Sequence, residues 1–172
     1  TRISEIEIAQ RFDVSRQPVR EAFIRLANHG FLLVSPQRAT VVRRFSSAKI
    51  ERARFIRAAV ECEVLRRACQ KPLGRTKARL EKCIETQEQT VRDGDIDRFH
   101  ALDYEFHKLL CSAGDSEFVY ESIVENKAQV DRLCLLSLAE PTAMDELTED
   151  HKRIFSAIIA SDDERVVKEI TY

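Results

Sequence analysis

Two helical patterns separated by only two residues near the N-terminus restrict the fold of this chain more than any other feature. Ser4 and Glu7 have the spacing of a capping box, and Ile8, Ala9 and Phe12 recur at helical intervals, so a short helix is expected over about residues 5–12. Asp13-Val14 is too short to join separate units. Ser15 can cap a second helix, whose apolar residues are Val19, Ala22, Phe23, Leu26 and Ala27. Pro18 falls in its first turn, where a missing N–H costs nothing, and Gly30 supplies a left-handed stop. Two helices joined this tightly form a helix-turn-helix, and Arg16, Gln17 and Arg20 lie on the face of the second helix away from its apolar stripe.

The residues that follow extend this unit. Phe31-Leu32-Leu33-Val34 and Thr40-Val41-Val42 are β-type runs, and Ser35-Pro36-Gln37-Arg38-Ala39 between them reads as the turn of a hairpin wing with Arg38 at its tip. From about Ser46 only helical patterns remain, near 47–70, 76–93, 96–113, 116–139, 143–160 and from 163 onward. Pro72-Leu73-Gly74, Gly94, Gly114, Pro141 and Ser161-Asp162 separate them. The expected fold class is mostly α: a winged helix-turn-helix over residues 1–45, then an antiparallel all-helical bundle of about six helices over residues 46–172.

A whole-chain net charge of −1 conceals a division between these parts. Residues 1–46 carry a net +4, with all eight basic residues arginine, whereas the remainder carries −5. A basic head on an acidic body points to a polyanion at one end, and arginine suits bidentate recognition of phosphate or guanine. No segment approaches the roughly 20 apolar residues of a membrane span, so no membrane partner is expected and the cytoplasm is the default location. The five cysteines form no C-x-x-C pair and sit among apolar helix positions, which predicts buried thiols rather than a structural zinc knot.

The helical half holds ionisable residues where a core is expected. Asp103 and His107 stand four residues apart beside the stripe of Phe99, Leu102, Phe106 and Leu110, and His151 lies near Leu147, Ile154, Phe155 and Ile158. A carboxylate aimed into a core needs a partner. Spacing alone allows a divalent metal held between facing helices, or a buried hydrogen-bonded or charge pair. Arg57 has two readings as well: an i,i+4 salt bridge to Glu61, or an inward clamp on a ligand carboxylate.

The run Ser4-Glu5, Ile8-Ala9, Phe12-Asp13-Val14-Ser15-Arg16-Gln17-Pro18-Val19-Arg20-Glu21-Ala22, Arg25-Leu26 and Gly30-Phe31-Leu32 resembles the DNA-binding signature of the GntR superfamily. Arg57 and Glu61, then Phe99, Asp103, Phe106-His107, Leu110 and Gly114, then Asp150-His151, resemble its FadR-like branch with the FCD effector-binding domain. Together the matches cover nearly the whole chain. Three departures accompany them. Arg38-Ala39 replaces the usual Arg-Gly of the wing, Gly114-Asp115 replaces Gly-Asn, and Thr1-Arg2 matches the family just after its first helix.

The resemblance implies that Ser15, Arg16 and Arg20 contact operator DNA. It also implies that Asp103, His107 and His151 bind a divalent metal (Zn, Ni or Mn), with a third histidine immediately after Tyr172. The first domain is accordingly expected to be N-terminally incomplete and the second C-terminally incomplete. The chain is expected to be a metabolite-responsive regulator of the repressor type. It would be a homodimer on palindromic double-stranded operator DNA, with Gln17 and Arg38 among its DNA-binding residues and Arg57 holding a small carboxylate. The rival readings are a metal-dependent enzyme with an appended winged head, and a metal-free sensor of a longer acyl ligand. The first lacks a general base or nucleophile tied to the metal residues by spacing, and the second leaves Asp103, His107 and His151 unexplained.

Overall fold

Caps and left-handed residues set the boundaries of the first unit. The computed structural model describes residues 1–35, 39–127, 130–140 and 142–171, and the chain divides into two compact units, Thr1–Ser47 and Ala48–Tyr172. In the first, a strand β1 (Arg2–Ile3) precedes α1 (Glu5–Phe12), α2 (Arg16–Asn28), β2 (Leu32–Leu33) and β3 (Thr40–Val42). The Ser4 hydroxyl accepts from the Ile6 N–H at 3.2 Å, one residue earlier than the reciprocal bond a capping box with Glu7 would use. Asp13 makes the inter-helix turn in the left-handed region (φ 51°), which a short polar side chain tolerates. Ser15 occupies the N-cap of α2 with extended backbone, yet its side chain makes no capping bond. Gly30 ends the segment at φ 78°, as its position predicted.

The wing strands pair antiparallel, Leu32 with Val42 and Leu33 with Val41. β1 adds to the other side of β3, giving the order β1-β3-β2. This third strand carries no sequence signal, because two residues are too few for a period to show. Ala9, Val19, Phe23 and Leu32 form the buried centre under the sheet, helped by Ile3, Ile8 and Val42. The expected wing tip, Arg38 included, lies outside the described residues.

The second unit is built on α3 (Ser47–Cys69), α4 (Arg75–Asp93), α5 (Ile96–Ala113), α6 (Tyr120–Lys127), α7 (Asp131–Leu138), α8 (Ala143–Ile159) and α9 (Asp163–Thr171). α4 and α5 run antiparallel across a two-residue link, with Gly94 left-handed at φ 67°. The Gln87 amide donates to the Leu102 carbonyl at 3.3 Å and Arg79 reaches Glu105 at 3.3 Å, so the helices stay in register along their length. Leu65, Leu80, Phe106, Leu109, Leu110 and Val166 are essentially sealed from solvent at the centre. Each such side chain contributes about 1.5–3 kcal/mol relative to exposure.

The helix expected over 116–139 is not continuous. A 3-10 turn at Glu117–Val119 leads into α6, and the Val130 N–H then bonds the Lys127 carbonyl three residues back at 2.8 Å before α7 begins. No glycine or proline marks this interruption, so the apolar period reads straight through it. Cys62, Cys69, Cys83 and Cys111 are buried, Cys134 is half-buried, and all five are free thiols. Among the described residues no helix is long and apolar enough to cross a membrane.

Candidate functional site

In the first unit α2 is anchored by Val19 and Phe23, each 5% exposed, which leaves its opposite face to solvent. Ser15, Arg16, Gln17 and Arg20 all lie on that exposed surface. Arg16 Nη2 and Arg20 Nε stand 3.8 and 3.6 Å from the same oxygen of Glu5, and the Gln17 amide donates to Glu21 at 2.9 Å. Exposed pairs of this kind are worth about 0–1 kcal/mol, so they do not lock these side chains in place.

In the second unit five helices direct polar groups to one buried place. Asp103 and His107 come from α5, His151 from α8, Arg57 and Glu61 from α3, Gln87 from α4, and Lys127 from α6. One donor atom from each of Asp103, His107 and His151 can be chosen so that all lie within 4.8 Å of one another. That span is slightly wider than twice a metal–ligand bond of roughly 2.1 Å. His107 Nε2 and His151 Nε2 stand 3.6 and 3.4 Å from Asp103 Oδ1, and the two imidazoles meet edge to face at 88°.

The outer contacts define which ring nitrogens carry protons. Gln87 gives its N–H to the Leu102 carbonyl, so its Oε1 faces His151 Nδ1 at 2.9 Å and can only accept. The His151 proton therefore sits on Nδ1, and the Nε2 lone pair turns toward Asp103. Phe106 stacks on this ring at 3.9 Å and fixes its plane. Arg57, which has no acceptor, lies with Nη2 2.6 Å from His107 Nε2, so His107 too carries its proton on Nδ1. That Nδ1 is 2.7 Å from Glu61 Oε1, close enough for strong attraction but without the alignment of a hydrogen bond.

Burial governs the charges. It lowers the pKa of His107, with Glu61 opposing and Arg57 reinforcing the shift. Burial also holds His151 well below the usual imidazole value, helped by His107, Lys127 and Arg57. For Glu61, burial alone would raise the pKa, but His107 and Arg57 outweigh it and bring it down to about 2. Arg57 Nε lies 3.1 Å from both Glu61 oxygens, so the i,i+4 pair and an inward-reaching guanidinium occur together. Lys127 is 1% exposed, its ammonium bonded to Asp103 Oδ2, and burial with Arg57 brings its pKa down to about 8 against the pull of Asp131.

Lys127, Gln87 and the inward role of Glu61 are absent from the sequence reading. A faint signal exists for the first two: Lys127 follows buried Ile123 by one turn, and Gln87 follows buried Cys83 by one turn. His100 stays out of the cluster, its Nε2 3.5 Å from Asp131 Oδ1. The third histidine implied after Tyr172 falls outside the 172 residues of the sequence. A cavity of about 400 Å³ opens beside the cluster, with Arg57 and Asp103 in its polar wall and Val130, Leu133 and Leu147 in its apolar wall.

Comparison with known proteins agrees with both halves. Residues 1–42 match the model of the bacterial regulatory proteins of the gntR family, and residues 53–172 match the FCD domain. The HTH-type transcriptional repressor RspR of Escherichia coli K12 is 37% identical over 171 residues, covering 99% of this chain and 75% of that protein. Among solved structures, E. coli McbR/YncC superposes with a TM-score of 0.74 at 22% identity, covering 99% of this chain and 83% of that one. A putative GntR regulator from Rhodococcus sp. RHA1 gives 0.70 at 23% identity, covering 98% and 80%. Such relatives are transcriptional regulators, not enzymes. A winged head with an exposed arginine-bearing helix, a helical second unit and these two matches have one explanation: the chain belongs to the GntR family of bacterial transcriptional regulators, with an FCD domain as its second half.

Proposed function

We infer that this regulator is a metabolite-responsive repressor whose helical unit binds a divalent metal through Asp103, His107 and His151 and a small organic acid beside it. One observation carries the metal reading: His151 keeps its proton on Nδ1 and turns its Nε2 lone pair toward Asp103 Oδ1, 3.4 Å away, and His107 Nε2 stands 3.6 Å from the same oxygen. A lone pair facing an anionic oxygen repels it unless a cation lies between them. Zn, Ni and Mn all accept this donor set. Glu61 and Gln87 supply the outer contacts that orient histidine ligands in such sites. Coordination through His107 Nε2 requires Arg57 to release that nitrogen, and its bonds to Glu61 keep the guanidinium at the edge of the cavity, where a carboxylate can meet it. The metal would supply open coordination positions for the same acid. The cavity of about 400 Å³ suits a small metabolite better than a long acyl chain.

Ser15, Arg16, Gln17 and Arg20 are the proposed operator contacts, with Arg38 of the wing. A homodimer would set two such helices in successive major grooves roughly 34 Å apart on a palindromic site in the cytoplasm. Bound acid regulates only if it favours one arrangement of the two heads. The repressor sense rests on the name of the relative RspR. The decisive experiment is elemental analysis of purified wild-type protein and His107→Ala after metal loading. Near-stoichiometric metal in the wild type, lost in the variant together with metal-dependent thermal stabilisation, is the expected result. Equal metal content in both refutes the site.

A further inference from the structure

Lys127 is a cation that the metal reading does not use. Its side chain is 1% exposed, its ammonium bonds Asp103 Oδ2, and it lies 4.2 Å from the centre of the Tyr104 ring. A lysine so deep in a helical unit is costly unless its charge is matched. The two oxygens of Asp103 are divided: Oδ2 goes to Lys127, whereas Oδ1 alone faces His107 and His151.

We propose that Lys127 is a positioning and specificity-determining residue that holds Asp103 as a one-oxygen metal ligand and keeps the loaded site positive enough to capture an anion. The inference rests on the metal reading above. Tying up Oδ2 prevents Asp103 from chelating through both oxygens, which leaves a coordination position open to an incoming ligand. The charge balance points the same way. Lys127 cancels Asp103, Arg57 cancels Glu61, and histidines coordinate a metal as neutral ligands. Within this inner set a divalent ion keeps both of its positive charges, with Arg54, Glu146 and Asp150 lining the adjoining cavity farther out. Without Lys127 the same residues carry one negative charge, which binds the metal more tightly and the anion less.

Cobalt(II) is the metal probe and azide the anion probe, both followed by visible absorption on the full chain. Lys127→Met should tighten cobalt binding and weaken azide binding to the cobalt-loaded protein, each by about tenfold, the scale typical of changes just outside the ligands. Lys127→Arg should restore both. A purely structural role for Lys127 weakens cobalt and azide binding together, or neither, and either pattern overturns the proposal. Should Lys127→Met fail to fold, Lys127→Gln removes the charge while keeping a donor for Oδ2, and the same opposed shifts are required of it. Failure of the wild type to bind cobalt refutes the metal reading itself. Binding in the wild type without opposed shifts in the variants refutes only the role of Lys127.

Discussion

Replacing Gly114 by alanine tests how the two helices that carry most of the site are held together. Gly114 follows α5, which bears Asp103 and His107, and faces α3, which bears Arg57 and Glu61. A β-carbon built at this position lies 2.6 Å from the Val64 carbonyl oxygen and 3.4 Å from Arg67 Cβ. The Val64 oxygen belongs to rigid helix backbone, so the helices must part by about 0.5 Å or more to reach normal contact. Overpacking of this kind costs about 1–3 kcal/mol, while the smaller unfolded-state entropy of alanine returns roughly 0.4–1 kcal/mol. The expected net loss is about 1–2 kcal/mol. At about 2–4 °C per kcal/mol for a chain of this size, Tm falls by roughly 2–8 °C.

Position 94 separates this cause from ordinary glycine chemistry. Gly94 is left-handed at φ 67° with nothing within 4 Å of its would-be β-carbon, so its cost on substitution is conformational. Asparagine tolerates that region and should be accepted at 94 at little cost, but at 114, where the obstacle is an atom rather than an angle, it should be as damaging as alanine or worse. Urea and thermal unfolding by circular dichroism of the four variants Gly94→Ala, Gly94→Asn, Gly114→Ala and Gly114→Asn provide the measurement. A Gly114→Ala protein as stable as wild type would refute the close approach of α3 and α5 as the reason for this glycine.

Two further outcomes follow from the charges of Arg20 and Glu61. Arg20→Ala should weaken operator binding and lower its dependence on salt, since one phosphate-neutralising contact is lost, as measured by fluorescence anisotropy across a salt series; unchanged affinity and slope would refute the assignment of α2 as the reading helix. In metal-free protein, Glu61 stabilises the fold wherever it is ionised in both states. Its folded pKa of about 2 lies below the ordinary 4.5, so its contribution is present above pH 4.5 and disappears as the pH falls toward 2. Glu61→Gln should therefore be less stable than wild type at pH 7, and the gap should narrow between pH 4.5 and 3 in urea titrations. A gap independent of pH would mean that packing, not charge, is what Glu61 contributes.

Much of this molecule is legible one residue at a time. The helix of Glu5–Phe12, the three-residue turn, the stop at Gly30 and the paired runs of the wing depend on caps, periods and left-handed residues spanning a few positions, and the chain carries all of these in its order. The same holds for the inward face of α5, where apolar spacing alone puts Asp103 and His107 side by side. The break between α6 and α7 was not legible, because no glycine or proline marks it. Nor was β1, whose pairing with β3 is made across nearly forty residues of sequence and whose two residues have no period.

The chemistry of the candidate site divides along the same line. Periodicity named three possible ligands and left the choice between metal and charge pair open, since a residue's own neighbours do not reveal what stands opposite. Only the packing of five helices brought Lys127 to Asp103 across 24 residues and Gln87 to His151 across 64, and so decided which oxygen of Asp103 faces the histidines and which nitrogen of His151 carries its proton. The sequence by itself determined the family, the class of fold and which helix faces hold polar groups, because those follow from local pattern. The tertiary structure decided the protonation, orientation and charge balance of those groups, because burial and opposing charges exist only once distant segments meet.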